Sequence, residues 1–124
     1  MNILNAEPKG YSRKAYEILC TLGIVIEEEC DREKLLKLIP EIDVLIVRLD
    51  HCIDEELFKK ADKLKIVVTA TTGLNHIDHD AATKYGVKVL SLKGERIFLD
   101  SLTATAELTW ALLLALVRTL PEAI

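Results

Sequence analysis

The chain has 124 residues, of which half are hydrophobic, and a formal net charge of −4 at pH 7. This length is enough for one domain with a core, and the composition is that of a folded protein rather than a disordered one. The negative charge argues against nucleic acid as the partner. Lys59, Lys60, Lys63 and Lys65 are also interleaved with Asp62 and apolar positions, and so form no basic stripe.

The cysteines and the apolar segments argue against a secreted or membrane protein. Cys20, Cys30 and Cys52 are odd in number and lack a Cys-x-x-Cys spacing, so we expect free thiols and a cytoplasmic protein. The N-terminus has no basic segment followed by an apolar core, and it therefore predicts no signal peptide. The apolar run from Leu108 to Val117 is well short of the roughly 20 residues that span a bilayer. We expect no membrane partner.

Five short apolar segments are predicted as β-strands. They are Asn2–Asn5, Ile24–Glu27, Val44–Val47, Lys65–Thr69 and Val87–Ser91. The third and fourth are apolar on both faces, which is typical of central parallel strands covered by helices on both sides.

The segments between the strands are predicted as helices because their apolar residues recur at helical spacing. Gly23 is expected to end the first helix. Asp31, Asp54 and Asp78 are expected to cap the N-termini of the next three, and Gly86 follows the last of them. The fold class is therefore α/β, with a doubly wound, mainly parallel five-stranded sheet of flavodoxin-like type.

A long apolar C-terminal helix, from about Leu102 to Leu120, is expected after this domain. Because it is apolar nearly all round, it must be buried on several sides. The sheet domain, residues 1–100, offers it only one face. We therefore expect the helix segment, residues 101–124, to pack on a second copy or on a following domain. A helix buried in the core of the chain itself is the alternative.

Ligands of open α/β sheets bind at the carboxyl ends of the strands. That rule selects the loops Ala6–Gly10, Arg48–His51, Thr71–Leu74 and Ser91–Gly94. The third loop opens the sequence ATTGLNHIDHDAA, from Ala70 to Ala82, which is rich in polar side chains.

Three kinds of site are considered for this stretch. A metal site would use His76 and His79, but no established ligand spacing is present and Asp78 is better placed as a helix cap. A dinucleotide phosphate site needs a glycine pattern that the chain lacks. A backbone anion site would use the N–H groups around Thr72 and Gly73, where glycine allows close approach and a positive φ, with added charge from Arg48. A plain turn, with a solvated Arg48, is the alternative to this anion site.

The segment TATTGLNHIDHDAATKYGVKVLSLKGE, Thr69 to Glu95, resembles the signature of the D-isomer-specific 2-hydroxyacid dehydrogenase family. The matching positions are Ala70, Gly73, Asn75, His76, Ile77, Asp78, Ala81, Ala82, Gly86, Val87 and Val89. The later segment TATAELTWALLLALVR, Thr103 to Arg118, resembles the element that follows in the family, with matches at Ala106 and Glu107.

The resemblance implies a flavodoxin-like substrate-binding domain that precedes a Rossmann NAD domain. In the family the catalytic arginine, glutamate and histidine belong to that second domain, so we expect no catalytic residue, no bound NAD and no metal in this chain. The function implied is that of a substrate-binding fragment, inactive alone, of an NAD-dependent oxidoreductase. The parent enzyme would interconvert a D-2-hydroxy acid and a 2-keto acid.

The resemblance also implies roles for particular residues. The amides of Thr72 and Gly73 would hold the substrate carboxylate, and Arg48 would line the substrate cleft. Ser101 stands where many members have an asparagine near the substrate. The helix Leu102–Leu120 would form the contact of a homodimer. Ser91 to Gly94 departs from the Asn-x-Pro-Gly of many members, which leaves the identity of the acid open.

Two other classes of protein are weighed. A receiver-like signalling module would be phosphorylated on Asp50, with Glu7, Thr71 and Lys93 imitating its other site residues. Its acidic pair after the first strand is incomplete, because Asn5 and Ala6 precede Glu7. A pure oligomerisation fragment rests only on the last helix.

Overall fold

The computed structural model describes residues 1–118. The chain divides into two compact units, one from Met1 to Lys93 and one that begins at Gly94. The sequence analysis instead divides the chain after residue 100, into a substrate-binding domain and a helix segment. That boundary stays a prediction.

The first unit alternates strands and helices as the sequence predicts. Its elements are β1 (Asn2–Asn5), α1 (Arg13–Leu22), β2 (Ile24–Glu27), α2 (Arg32–Leu38), a 3-10 turn (Ile39–Glu41), β3 (Val44–Val47), α3 (Glu55–Lys60), β4 (Ile66–Thr69), α4 (His79–Lys84) and β5 (Lys88–Leu90). All neighbouring strands are parallel, in the order β2-β1-β3-β4-β5. This order is the flavodoxin-like one, in which the chain reverses its winding direction between β1 and β3.

The sheet separates two apolar layers. Leu4, Leu45 and Val67 point to the larger one, which also contains Leu35 of α2 and Leu57 of α3. The smaller layer contains Ile3, Val44 and Ile46, packed against Leu19 of α1 and against Tyr11. Because β3 is buried at every position, it is a central strand covered on both faces, as predicted.

The predicted helix caps are confirmed. The side chains of Asp31, Asp54 and Asp78 accept hydrogen bonds from the N–H groups of the third residue after each, at 2.8, 3.1 and 2.9 Å. The N–H of Gly23 donates to the carbonyl of Leu19 at the end of α1. A side chain at Gly23 would collide with the carbonyl oxygen of Met1, so glycine is required there for a close approach of two backbones.

The loops after β3 and β4 are joined by backbone hydrogen bonds. The Ile53 N–H donates to the His76 carbonyl at 2.7 Å, and the Asp78 N–H donates to the Ile53 carbonyl at 2.8 Å. Arg32 of α2 secures the same loop, because it donates to the Cys52 carbonyl and to the Asp54 carboxylate, both at 2.6 Å. Burial alone would raise the pKa of Asp54, but the bonds from Arg32 and from the Leu57 N–H outweigh it and lower that pKa.

The second unit contains two helices, α5 (Arg96–Asp100) and α6 (Ala104–Arg118). Helix α5 is a short element that the sequence analysis does not predict. The predicted long helix is also corrected, because α6 has 15 residues and Leu102 and Thr103 precede it. The Thr103 hydroxyl donates to the Glu107 carboxylate at 2.6 Å across the first turn of α6. Thr119 and Leu120, the predicted end of the helix, lie outside the described residues.

The apolar side chains of α6 are exposed. Leu116 is 77% exposed, and the other large apolar side chains share this exposure: Leu108, Trp110, Leu112, Leu113, Leu114 and Val117. Within residues 1–118, no helix has both the length and the hydropathy needed to cross a bilayer.

Candidate functional site

The carboxyl ends of β1, β3 and β4 lie side by side at one edge of the sheet. Asn5 pairs with Ile46, and Val47 pairs with Thr69. Arg48 therefore follows β3 between the loop after β1 and the loop after β4. The sequence prediction that these loops share one edge is confirmed by this register.

The turn after β4 is built on hydroxyl groups. Thr69 is buried, and its Oγ1 lies 2.9 Å from Oγ1 of Thr71 and 3.4 Å from Nε2 of His76. The Thr71 hydroxyl donates to the Gly73 carbonyl at 2.8 Å. Thr72 and Gly73 are exposed, and within residues 1–118 neither of their N–H groups donates to another protein group. These two donors are therefore available to a ligand.

Gly73 does not use the positive φ that glycine allows. Among the described glycines a positive φ is found at Gly10, Gly86 and Gly94. The turn at Gly73 is closed by the Thr71 hydroxyl and needs no left-handed residue. A Cβ added at Gly73 would meet no atom within 4 Å, so the space beside this residue is open.

The backbone and the side chain of Arg48 contact residues on opposite sides of β3. Its carbonyl lies 3.5 Å from Oγ1 of Thr69, on the β4 side. Its guanidinium Nη1 donates to the Lys9 carbonyl at 3.4 Å, on the β1 side. The structure therefore places the Arg48 backbone beside the turn at Gly73 but turns its charged end away from it.

A pocket of about 290 Å³ lies where the guanidinium of Arg48 points. We call it the β1/β3 pocket, and its lining residues are Ala6, Glu7, Lys9, Glu29, Cys30, Arg48, Asp50 and His51. It occupies the point where the strand order reverses, which is where open α/β sheets bind ligands. Sequence reasoning missed it, although the loops AEPKG and RLDH that form much of it follow adjacent strands.

Two side chains of the β1/β3 pocket are largely buried. Glu7 is 8% exposed, and its Oε1 accepts from the Asp50 N–H at 3.2 Å. His51 is 7% exposed, and its ring makes no hydrogen bond to any residue in the described part of the chain. Burial raises the pKa of the Cys30 thiol, so that this member of the lining is uncharged.

The histidines of the stretch Ala70 to Ala82 do not form a metal centre. His76 contacts Thr69, His79 is exposed at the start of α4, and Asp78 is used as the cap of that helix. Residues 1–118 contain no group of three side chains arranged to hold a metal ion.

The turn after β1 does not fit the pyrophosphate of NAD. Such a site needs glycines and free N–H groups that lead into the following helix. Here Pro8 has no N–H group, and the buried carboxylate of Glu7 would repel the phosphates. No strand end within residues 1–118 is followed by Gly-x-Gly-x-x-Gly.

Ser101, the remaining predicted site residue, belongs to the second unit. Its hydroxyl donates to the Phe98 carbonyl at 2.5 Å, at the end of α5. This residue is exposed, and its role at a substrate stays a prediction.

Comparison with known proteins agrees with the fold. A sequence model described as "D-isomer specific 2-hydroxyacid dehydrogenase, catalytic domain" matches residues 6–118. A glyoxylate reductase of Thermococcus onnurineus is 42% identical over 98 residues, which are 78% of this chain and 28% of that enzyme. This chain therefore spans about a quarter of the length of that relative.

Solved structures give the same result. The TT0316 protein from Thermus thermophilus is 29% identical, with a TM-score of 0.85 over 99% of this chain and 39% of that one. An NAD+-bound 3-phosphoglycerate dehydrogenase of Entamoeba histolytica is 33% identical, with a TM-score of 0.62 over 73% of this chain and 32% of that one. None of these matches supports the receiver alternative at Asp50. The chain belongs to the D-isomer specific 2-hydroxyacid dehydrogenase family.

Proposed function

We propose that this chain is the substrate-binding part of an NAD-dependent oxidoreductase that interconverts a D-2-hydroxy acid and a 2-keto acid. The observation that carries the proposal is the pair of unused N–H groups at Thr72 and Gly73, exposed at a strand end beside open space. Two such donors can hold the two oxygens of a carboxylate.

Arg48 would supply the charge that strengthens this contact. Its present bond to the Lys9 carbonyl is long, at 3.4 Å, and is made at an exposed site, so giving it up costs little. A turn of its side chain toward β4 would bring the guanidinium beside the carboxylate. Arginine suits this role because its fork of N–H groups matches a carboxylate. By resemblance to the family, Ser101 is a further candidate contact.

The hydride would come from NAD held by another part of a longer protein. The 3-phosphoglycerate dehydrogenase that resembles this chain is NAD+-bound, whereas the turn after β1 in this chain does not suit the pyrophosphate of that cofactor. Residues of this chain would bind and orient the acid. The names of the relatives point to different acids, glyoxylate and 3-phosphoglycerate, and so we assign the class of substrate only.

The carboxylate site can be tested by titrating the ¹⁵N-labelled chain with D-lactate and following its amide signals. We expect the signals of Thr72 and Gly73 to shift, and the alcohol D-1,2-propanediol, which lacks the carboxylate, to leave them in place. Arg48→Met should weaken D-lactate binding about tenfold, the value of one charge-assisted hydrogen bond. Arg13→Met, an exposed arginine of α1, is the control and should bind as the unchanged chain does.

The proposal would be wrong if D-lactate left both amides unmoved. If Arg48→Met and Arg13→Met bind D-lactate equally well, Arg48 is not part of the carboxylate site, whereas the amides of Thr72 and Gly73 remain assigned to it.

We also propose that α6 is the contact of a homodimer. Its exposed leucines and Trp110 form an apolar surface of the kind that is covered in assemblies. Light scattering should then give twice the mass of the chain. The double change Leu112→Lys and Leu116→Lys should give the monomer, whereas Leu102→Lys, just before the helix, should leave the dimer intact. A monomer at every concentration of the unchanged chain would exclude this contact.

We also propose a cytoplasmic location for the protein. Cys20, Cys30 and Cys52 are all free thiols in the structure. Free thiols persist in a reducing compartment, where NAD-dependent metabolism also takes place.

A further inference from the structure

The charges of the β1/β3 pocket are unbalanced. Glu7, Glu29 and Asp50 face only two cations, Lys9 and Arg48. Within residues 1–118 none of the three carboxylates takes part in an ion pair, whereas Glu28, next to Glu29, is paired with Lys34. The pocket therefore carries excess negative charge that the protein itself does not neutralise.

Binding of a substrate carboxylate would increase this imbalance. If Arg48 turns toward a carboxylate held at Thr72 and Gly73, its positive charge no longer offsets the carboxylates of the pocket. Lys9 would then be the single cation that faces three carboxylates. A positive group on the ligand would restore the balance.

The pocket also offers hydrogen-bond acceptors on two largely buried residues, Glu7 and His51. One oxygen of Glu7 accepts from Asp50, and its second oxygen makes no bond in the described part of the chain. The His51 ring is equally unpartnered, and a neutral imidazole has one acceptor nitrogen. An ammonium group donates three hydrogen bonds and needs acceptors of this kind.

The distance between the two sites fits a ligand of moderate length. Neighbouring strands lie about 4.8 Å apart, so the middle of the gap between β1 and β3 is roughly 7 Å from β4. Six single bonds in an extended chain advance by about 7.5 Å. A six-carbon acid with a terminal amine spans this interval.

We propose that the β1/β3 pocket is a second subsite, which selects 2-hydroxy and 2-keto acids with a cationic group at the far end. The inference rests on the proposed function, because it assumes that the carboxylate lies at Thr72 and Gly73. It names the class of acid that the proposed function leaves open.

Three probes of related length test the subsite. They are the D-isomers of 6-amino-2-hydroxyhexanoate, 2-hydroxyheptanoate and 2-hydroxyadipate, whose far ends are an ammonium, a methyl group and a carboxylate. Each is titrated into the ¹⁵N-labelled chain, and the shifts at Thr72, Gly73 and His51 are followed. We expect the amine to bind about tenfold more tightly than the heptanoate, and the adipate to bind most weakly.

Charge-neutralising variants show which carboxylates cause the tighter binding of the amine. Glu29→Gln and Asp50→Asn change side chains that are not part of the core and should leave the fold intact. Each should reduce the advantage of the amine over the heptanoate to about threefold or less. Glu28→Gln removes the same charge one residue away, outside the pocket lining, and should keep the full advantage.

The outcomes separate this inference from the proposed function. If all three probes shift Thr72 and Gly73 with equal affinity, the carboxylate site stands and the cationic subsite is overturned. The subsite is also overturned if Glu28→Gln removes the advantage as fully as Glu29→Gln. If no probe shifts either amide, the proposed function itself fails, and the inference fails with it.

Discussion

Replacement of Phe58 by alanine is expected to lower the free energy of unfolding by about 3–5 kcal/mol, as seen when large core side chains are removed. Phe58 is 2% exposed and belongs to the larger apolar layer of the sheet. Its ring also stacks on Tyr85, with centroids 6.3 Å apart, and so joins α3 to the end of α4. Urea denaturation followed by circular dichroism measures the loss.

The chain contains its own control for this change, because it has two phenylalanines. Phe98 is 50% exposed, so Phe98→Ala should cost about 1 kcal/mol or less. Phe58→Leu, which keeps most of the volume, should cost under about 1.5 kcal/mol. Equal losses for the alanine variants of Phe58 and Phe98 would contradict the assignment of the core. If Phe58→Ala is too unstable to measure, the leucine variant still tests it.

The purified chain is expected to oxidise no NADH when it is mixed with a panel of 2-keto acids. Hydride transfer requires a nicotinamide held against the substrate. The turn after β1 is unfavourable for the phosphates of that cofactor. Pro8 has no N–H group to donate to them, and the buried carboxylate of Glu7 would repel them. The absorbance of NADH at its nicotinamide band, followed over hours, measures turnover.

Two measurements make this negative result informative. The fluorescence of NADH should also be unchanged by the chain, since no binding is expected. The same sample should still show the amide shifts of Thr72 and Gly73 with D-lactate, which proves that the protein is folded and competent to bind an acid. Steady oxidation of NADH by the pure chain would contradict the expectation that this chain does not bind NAD. It would also contradict the proposal that another part of a longer protein holds this cofactor.

The sequence predicts the first unit well because its signals are local. An aspartate before an apolar periodic run is enough to start a helix, and Asp31, Asp54 and Asp78 each make the predicted bond. The strand ends shift by only a residue, as at Lys65, which lies just before β4. Alternation of such elements then leaves a parallel sheet as the natural arrangement.

The second unit is predicted less well because its signals are weak. Helix α5 has no side-chain cap and no buried residue, so nothing in Arg96–Asp100 distinguishes it from a loop. At the start of α6 the Thr103 hydroxyl bonds to the Glu107 carboxylate, whereas the apolar pattern begins earlier, at Leu102.

Several features of the candidate site depend on contacts that the sequence pattern does not predict, some of them between residues far apart in the sequence. The motif around Gly73 identifies the turn, but it does not show that the Thr71 hydroxyl closes this turn by donating to the Gly73 carbonyl. The direction of Arg48 depends on a carbonyl 39 positions earlier in the chain. The β1/β3 pocket likewise arises from three loops that only the strand order brings together.

The two hydrogen bonds of Ile53 have a consequence for how the edge of the sheet responds to change. They join the loop that carries Arg48 to the loop that carries Gly73, and Arg32 anchors the pair to α2. The two loops therefore behave as one preorganised platform, and a ligand that bridges them loses little conformational entropy of the protein on binding. Side chains on this platform can be exchanged to suit another acid while the spacing between its two halves stays constant.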